Sequence, residues 1–282
     1  MSSKLDKYAL YIKTTQSGIL KTLFEAIKDV IRDVNMIFTK DGMKITAHDE
    51  SRVAFVNLKL SADKFRESGS YHCPNKLTVG VSVTNLNKFM KTISPNDIFY
   101  LYIHKDHQDN IGIKMENNNK NIKSNFSLNV IDLEEENHKI PNFQFNSIFT
   151  MPSQEFQKLC RDLNIIDNDV EIESIDNKLI FRAKGDIGSR ETVIGNEINQ
   201  EYHEKGGGGD ESGGGNGETK GVSLAKAKFS LKYLNLFTKA TNLCSTIQIF
   251  FNNDTPLIIE YTVASLGYLK FCLAPKVDEP FS

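Results

Sequence analysis

The chain has 282 residues, which is long for one domain and comfortable for two. Its net charge of −2 excludes binding to nucleic acid through overall basicity, so such a role would require unevenly placed charge. There is no run of 18 or more apolar residues, and the polar segment Met1–Lys7 lacks the apolar core of a signal peptide. We therefore expect no contact with a membrane.

Four segments carry apolar residues at helical spacing and basic residues on the opposite side. They are Ile19–Ile31, Leu86–Ile93, Phe156–Leu163 and Leu231–Ala240. Their basic residues are Lys21 and Lys28, Lys88 and Lys91, Lys158 and Arg161, and Lys232 and Lys239. Lysine solvates the surface of many helices, but its repetition in four helices of a slightly acidic protein indicates a shared anionic target.

Short segments rich in β-branched and aromatic residues separate these helices and predict strands. The predicted strands are Met43–Thr46, Ala54–Leu60, Leu77–Val83, Ile98–Ile103, Ile111–Met115, Phe126–Val130, Val170–Ile175, Leu179–Ala183, Thr246–Phe251, Leu257–Val263 and Leu269–Leu273. Tight turns are predicted at Lys40–Gly42 and at Asp176–Lys178. Many short strands with few helices predict an α+β protein built on antiparallel sheet.

The two halves of the chain resemble each other in the order of their elements. Lys21 corresponds to Lys158 in the first helix of each half, and Lys88 corresponds to Lys232 in the second. Ile45 corresponds to Phe181 in a strand between these helices. The sequence therefore predicts an internal duplication, with two similar domains of antiparallel sheet and two helices each.

Two irregular segments divide this pattern. The acidic segment Asn129–Asn146 includes Ile140-Pro141 and predicts an exposed connector at residues 130–146, between domains at 1–129 and 147–282. Gly206–Gly221 holds nine of the 18 glycines. It lacks the Gly-Lys-Ser/Thr ending of a phosphate-binding loop, so we expect a disordered surface loop there.

No arrangement of residues predicts catalysis. His104 and His107 could supply metal ligands, but they lie between two predicted strands without another His or Cys cluster, which favours a solvated hairpin turn. No Gly-x-Ser-x-Gly motif is present, and the other histidines are scattered. The four cysteines, Cys73, Cys160, Cys244 and Cys272, are widely spaced and predict free, mostly buried thiols. We expect a protein without enzymatic activity, cofactor or metal.

Several longer segments show a family resemblance. Leu231–Thr241, Met151–Leu163, Pro256–Tyr261 and Leu266–Lys276 closely resemble segments of the eukaryotic DNA sliding clamps, the proliferating cell nuclear antigen (PCNA) family. Ser17–Lys21, Glu25–Asp29 and Val79–Val81 match more loosely. The resemblance covers nearly the whole chain except the first residues and Gly206–Gly221.

The resemblance implies a homotrimeric ring. Three chains would close head to tail, with helices lining the hole and sheets outside. Edge strands near Lys123–Val130 and Ser189–Glu197 would pair between neighbours. The eight basic residues of the helices would then face DNA, giving 24 in three chains. A duplex in a hole roughly 30 Å deep shows roughly 18 phosphates, so the charges are comparable in number.

The family also associates the segment Tyr71–Lys91 with DNA. His72 and Asn75 stand where the family usually has arginines, but Lys76 is nearby and joins the predicted DNA-facing residues. A sliding ring cannot read bases, so lysine and arginine would contact phosphates without sequence preference.

The second site implied by the resemblance is a pocket for a Q-x-x-aliphatic-x-x-aromatic-aromatic peptide. The matching positions that keep an apolar character are Val53, Leu133, Ile140, Pro256, Ala274 and Pro275. The departures from that pattern are His48, His138 and Cys272. Apolar anchor residues of the peptide would give the binding energy, and backbone hydrogen bonds would fix the register of the bound peptide.

The function predicted from the sequence is a DNA sliding clamp for replication and repair, acting as a polymerase processivity factor and docking platform. Its partners would be double-stranded DNA, a DNA polymerase, a clamp loader, other proteins with the peptide motif, and two further copies of the chain. The alternatives are a subunit of a heterotrimeric or checkpoint clamp, or a monomeric viral DNA-binding processivity factor. The expected location is the nucleus, or a cytoplasmic viral factory.

Overall fold

A computed structural model describes residues 5–67, 69–94, 96–134, 147–175, 178–195, 223–253 and 255–277. The strands of the first half are β1 (Tyr8–Thr14), β2 (Asp33–Thr39), β3 (Gly42–His48), β4 (Ala54–Ser61), β5 (Gly69–His72), β6 (Leu77–Ser82), β7 (Ile98–His104), β8 (His107–Asn117) and β9 (Ile122–Asn129). Its helices are α1 (Ser17–Ile27), α2 (Ala62–Glu67) and α3 (Val83–Met90).

The second half repeats the order of a strand, a helix, further strands, a helix and a final group of strands. Its strands are β10 (Ser147–Pro152), β11 (Asp169–Ile175), β12 (Lys178–Gly185), β13 (Gly188–Gly195), β14 (Ser223–Ser230), β15 (Thr246–Phe251), β16 (Leu257–Val263) and β17 (Gly267–Leu273). Its helices are α4 (Ser153–Leu163) and α5 (Leu231–Phe237), and α5 continues as a 3-10 helix over Thr238–Leu243. The predicted α+β class and two similar domains are confirmed.

The strands form three antiparallel sheets. Their orders are β5-β1-β7-β8-β9, β10-β15-β16-β17-β4-β3-β2-β6 and β13-β12-β11-β14. The eight-stranded sheet joins the two halves through β17 and β4, where Gly267 pairs with Leu60 and Leu273 with Ala54. β9 and β13 lie at edges of the other two sheets. A single apolar core extends through both halves.

The predicted helices differ from the observed ones mainly at their ends. The apolar pattern of the first helix continues to Ile31, but α1 ends at Ile27. Val30 and Ile31 are buried in the following turn, where both backbone amides donate to the Ile27 carbonyl. The apolar spacing therefore predicted correctly that Val30 and Ile31 are buried, but it placed the end of the helix too late. A turn after the helix can bury the same side chains.

The predicted strands leave out β1, β2, β5, β10, β13 and β14, and the short helix α2 was also missed; of these, the family resemblance indicates only the edge strand near Ser189–Glu197. β5 has only four residues, and the outward-facing residues of β1 and β2 include Tyr11, Lys13, Asp33 and Asn35, which interrupt the apolar pattern. The turn predicted at Lys40–Gly42 joins β2 and β3. The predicted turn residues Asp176 and Asn177, most of the connector, and Gly206–Gly221 lie outside the described residues.

All four cysteines are free thiols, as predicted, and Cys73, Cys160 and Cys272 are buried. Burial raises the pKa of Cys73 to about 11. Such a thiol is neutral and poorly nucleophilic at neutral pH. Over the described ranges, the helices are all too short or too polar to span a membrane.

Candidate nucleic-acid interface and partner pocket

The four predicted basic helices lie side by side in one layer. α1 packs against α3 on one side and against α5 and the 3-10 helix on the other, and α4 packs against α5 and the same 3-10 helix. Each helix buries its apolar stripe, represented by Leu23, Leu86, Phe156 and Leu234, toward the sheets. The solvent-facing sides of four helices therefore form one continuous surface, here called the helix layer.

Six of the predicted DNA-facing residues are exposed on the helix layer. They are Lys88, Lys91, Lys158, Arg161, Lys232 and Lys239. Lys88 donates to Asn85 Oδ1 at 3.0 Å, which leaves its charge uncompensated. In the described part of the chain, no ion pair involves Lys158, Arg161 or Lys232. These groups are available to an anion.

Lys21 holds two helices together. Its Nζ atom donates to the backbone carbonyls of Lys91 and Ile93, each at 3.0 Å, and the side chain is half-buried. These carbonyls follow the end of α3, where the helix leaves acceptors without internal partners. Lys21 therefore provides hydrogen-bond donors for carbonyls at the end of α3, and it also adds positive charge to the helix layer.

An acidic residue reduces the charge at the end of α1. Asp29 accepts from Lys28 at 2.7 Å and also from Lys239 of the second half. Partial burial opposes ionisation of Asp29, but the hydrogen bonds from Lys239 and Lys28 outweigh it and lower its pKa. Lys28 and Lys239 are therefore partly neutralised. Lys76 is exposed in the loop between β5 and β6, outside the four helices.

A groove of about 390 Å³ separates the halves at this surface. It is lined by residues of the α1–β2 turn, the β3–β4 loop, α3 and α5. Within it, the Tyr233 hydroxyl donates to Asp49 Oδ2 at 2.6 Å. Asp49 Oδ1 also accepts from the Ala54 amide at 2.7 Å, so this carboxylate joins α5 to the start of β4.

The predicted peptide-pocket residues divide into two groups. Val53, Pro256 and Ala274 lie together at the ends of neighbouring strands, because Ala54, Leu257 and Leu273 are paired there. The Ala274 amide donates to the Val53 carbonyl at 2.9 Å. Pro275 follows directly in the chain.

His48 and Cys272 flank Phe55 across adjoining strands, on the same part of the eight-stranded sheet. The rings of His48 and Phe55 are 4.7 Å apart. Phe55, Ile258 and Cys272 form a small apolar cluster separate from the main core, with Phe250 packed against it. Burial raises the pKa of the Cys272 thiol to about 12, so it contributes a neutral, apolar surface.

Sequence analysis missed Phe55 and Ile258 as parts of this surface. The sequence did contain a signal for them: Ala54–Val56 and Leu257–Ile259 are continuous apolar runs, without the alternation of apolar and polar residues expected of a strand with one solvent-exposed face. In a sheet with only one face against the core, such a run places an apolar side chain on the outer face.

Leu133 lies away from this group. Its carbonyl accepts from Asn35 Nδ2 of β2 at 3.4 Å, and Leu133 lines a cavity of about 440 Å³ beside Gly80 of β6. Ile131 forms a bridge with Gly80, so the start of the connector lies along the edge of β6. His138 and Ile140 lie outside the described residues.

The histidine pair considered as a metal site flanks the hairpin between β7 and β8. His104 pairs with His107 across the two-residue turn Lys105-Asp106. Over the described ranges, no three His, Cys, Asp or Glu side chains are grouped in a way that could hold a metal ion.

Two similar antiparallel domains whose helices form one basic layer have the organisation of the DNA clamp class of proteins. Two family models match adjoining parts of the chain: the PCNA N-terminal domain at residues 9–138 and the PCNA C-terminal domain at residues 139–276. The chain therefore belongs to the PCNA family.

Two relatives match almost from end to end. The chain is 30% identical over 275 residues to a probable DNA polymerase sliding clamp 1 of Paramecium bursaria Chlorella virus 1, covering 96% of this chain and 98% of that protein. It is 31% identical over 272 residues to the proliferating cell nuclear antigen of Caenorhabditis elegans, covering 95% and 97% respectively.

Proposed function

We propose that the protein is a DNA sliding clamp: three copies close into a ring around duplex DNA and hold a DNA polymerase to its template. The observation that carries this proposal is the continuous layer of four helices with basic side chains, of which Lys158, Arg161 and Lys232 have no ion pair among the described residues, in a chain of the PCNA family. The role is non-catalytic. Topological closure keeps the ring on DNA, and weak phosphate contacts allow sliding.

The junction between the two halves supports closure into a ring. β17 of the second half pairs with β4 of the first half within one chain. By the order of the repeat, β9 corresponds to β17, and β13 corresponds to β4. Among the described residues, β9 and β13 each pair with one strand only, so each chain has a copy of both junction strands with one open edge. Pairing β9 of one chain with β13 of the next repeats the junction head to tail.

The intrachain register gives the register proposed between chains. Phe271 pairs with Val56 at the junction. Ile45 pairs with Leu58, and the corresponding Phe181 pairs with Thr192, so Thr192 takes the position of Leu58. On this basis Phe126 lies opposite Arg190 of the next chain.

Four positions along, Ile122 then lies opposite Ile194, and the two side chains bury each other. Ile122 is 54% exposed in the single chain, which fits a residue that is covered by assembly.

The second part of the proposal is that the outer surface near Val53, Pro256 and Ala274 binds the peptide motif of partner proteins. The adjoining cluster of Phe55, Ile258 and Cys272 offers an apolar floor for an aromatic or aliphatic anchor. We propose domains at 1–129 and 147–282, joined by the connector at 130–146, whose first residues lie along the edge of β6. The partners would be a polymerase, a clamp loader and other motif-bearing proteins.

Charge reversal on the helix layer tests the clamp function. A variant with Lys88, Arg161 and Lys232 replaced by Glu is compared with one carrying Glu at Lys44 and Lys59, exposed residues paired across β3 and β4. Product length is measured for a clamp-dependent replicative polymerase on primed circular DNA. We expect the first variant to lose stimulation at physiological salt and the second to retain it.

Light scattering on the same samples separates loss of DNA contact from loss of assembly. The wild type and both variants should have three times the chain mass of 31.8 kDa. A stable monomer at micromolar concentration would contradict the ring, and a requirement for a second type of chain would indicate a heterotrimer. Stimulation that survives charge reversal would exclude the helix layer as the DNA-facing surface.

The proposed location is the site of replication, in the nucleus or a viral factory.

A further inference from the structure

The outer face of the five-stranded sheet carries a group of aromatic side chains that the clamp function does not use. The inward positions of β1 and β7, such as Leu10, Ile12 and Leu101, are buried in the core. The alternate positions Tyr11, Tyr100, Tyr102 and His104 are on the other face and are aromatic; Tyr100 is only 9% exposed and the others are half-buried. A shift in strand register between Tyr8 and Leu10 brings Tyr8 to the same face. We call this group the aromatic patch; it consists of Tyr8, Tyr11, Tyr100, Tyr102 and His104.

The rings of the aromatic patch are in contact across the two strands. The centroid of Tyr8 is 5.1 Å from that of Tyr11, 5.5 Å from that of Tyr102 and 4.7 Å from that of His104. Tyr11 and Tyr100 are 6.3 Å apart. The patch is therefore one continuous surface of ring faces and edges.

A glycine in the next strand allows one ring to lie flat on the sheet. A Cβ atom on Gly112 of β8 would lie 2.3 Å from ring carbons of Tyr102. The Tyr102 ring therefore covers the backbone of β8 at Gly112. The aromatic patch therefore extends over a third strand, β8, and its surface there has no protruding side chain at Gly112 that would block a planar group.

Lysines surround these rings. Lys7 Nζ is 5.0 Å from the Tyr8 centroid. Lys13 and Lys114 approach the Tyr100 ring at 5.7 and 5.0 Å. The acid in contact with this group is Glu116, which pairs with Lys114 at 2.6 Å. Three lysines against one glutamate leave the patch positively charged.

We propose that the aromatic patch binds single-stranded nucleic acid, with bases on the tyrosine rings and phosphates on Lys7, Lys13 and Lys114. Partly exposed aromatic rings on a basic surface, such as those of Tyr8, Tyr11 and Tyr102, can bind single strands because every base has a face that can stack and every nucleotide carries a phosphate. Duplex DNA already stacks its bases internally and cannot offer them to the rings. The proposal goes beyond the clamp function and does not depend on ring closure.

The first test measures stacking. Fluorescence anisotropy of a labelled 20-nucleotide oligo-dT is followed with the full chain and with variants at Tyr11 and Tyr102. We expect Tyr11→Ala and Tyr102→Ala each to weaken binding roughly tenfold, while Tyr11→Phe and Tyr102→Phe retain it. Phenylalanine keeps the ring and the packing of the sheet. Alanine variants that bind as well as wild type, or absence of binding by the wild type, would overturn the proposal.

The second test separates the patch from the helix layer. Lys7→Gln and Lys13→Gln should each reduce the slope of log affinity against log salt by about 0.7. Lys44→Gln and Lys59→Gln, on the outer face of the neighbouring sheet, are matched controls and should leave the slope unchanged. If Lys158→Glu abolishes oligo-dT binding while the patch variants do not affect it, the strand lies on the helices and the proposal is wrong. Equal displacement of oligo-dT by poly-glutamate would also overturn it, in favour of an acidic protein partner.

Discussion

Two pairs of corresponding strands differ in polarity. β17 and β4 form the closed junction within the chain, whereas β9 and β13 are open sheet edges. In β4, Val56, Leu58 and Leu60 are fully buried. The corresponding residues of β13 are Arg190, Thr192 and Ile194, which are exposed or half-buried. The same structural position is thus apolar where the two halves of one chain are joined, and more polar at the edge that the proposed ring would pair between chains.

A hydrogen bond across the closed junction has no counterpart at the open edges. Tyr233 donates to Asp49 between the two halves. The repeat places Phe89 at the position of Tyr233 and Gly185 at that of Asp49, and neither has a polar side chain. The permanent junction therefore combines apolar burial with a polar link, whereas the contact proposed between chains depends mainly on strand pairing and apolar contact. A weaker contact would suit the proposed ring, which has to open to admit DNA.

The largest expected effect is at the centre of the closed junction. Phe271 is fully buried, and its ring stacks on Phe237 at 4.5 Å. Phe271→Ala should lower the free energy of unfolding by about 3–5 kcal/mol, measured by urea denaturation. Phe126, at the corresponding position of β9, is only half-buried.

Phe126→Ala is the matched comparison for this change. It should cost about half as much in unfolding and should act mainly on assembly. Equal losses of stability in the two variants would show that the closed junction and the open edge do not differ as described.

Breaking the open edge should affect assembly without unfolding the chain. Ile122→Asp places a charge where the proposed register brings Ile122 against Ile194 of the neighbour, and burial of an unpaired carboxylate is unfavourable. Light scattering should show a shift from about three chains to one, while the circular dichroism spectrum remains unchanged. Ile148→Asp is the control, since Ile148 of β10 is 48% exposed and lies in another strand. An Ile122→Asp trimer would contradict the proposed register.

The sequence predicted the helices, most strands and the duplication because apolar periodicity reports burial directly. It could not show that Lys21 binds the carbonyls after α3, or that Asp29 pairs with Lys28 and Lys239, since these contacts depend on how helices from distant segments meet. It also missed the aromatic patch. Tyr8 and Tyr11 are not related by strand alternation, and only the register shift near Leu10 places them on one face.

The polar link at the junction should make a smaller contribution. Tyr233→Phe removes the hydroxyl that donates to Asp49 and should lower the free energy of unfolding by about 1–2 kcal/mol, because a charged acceptor loses a partner. Urea denaturation measures the change. Tyr268→Phe is the control, with an expected change below about 0.5 kcal/mol. In an Asp49→Asn background, Tyr233→Phe should cost less, and an undiminished cost would show that the two residues act independently.

The smallest expected effect concerns the attachment of β9. Glu116 of β8 pairs with Lys114 at 2.6 Å and with Lys123 of β9 at 3.4 Å, and it accepts from the Tyr100 hydroxyl. The hydrogen bonds from Lys114 and Tyr100 lower the pKa of Glu116 to about 2. An unfolded glutamate has a pKa of about 4.3, so the folded state binds the proton less tightly. The resulting stabilisation is present above about pH 4.3 and is lost as pH falls toward 2.

Comparison with Glu116→Gln isolates this contribution. The variant should be less stable than wild type by about 1 kcal/mol at pH 7, and the difference should shrink as pH falls from 4.5 to 2, measured by urea denaturation at each pH. Glu67→Gln, in an exposed pair with Lys64, is the control and should show little difference at any pH. A difference for Glu116→Gln that stays constant with pH would mean that ionisation of Glu116 does not hold β9 to the sheet. Loss of this ion pair at low pH would weaken the open edge at β9 first. Among the described residues, no comparable ion pair joins β17 to β4, so the closed junction would be less sensitive to low pH.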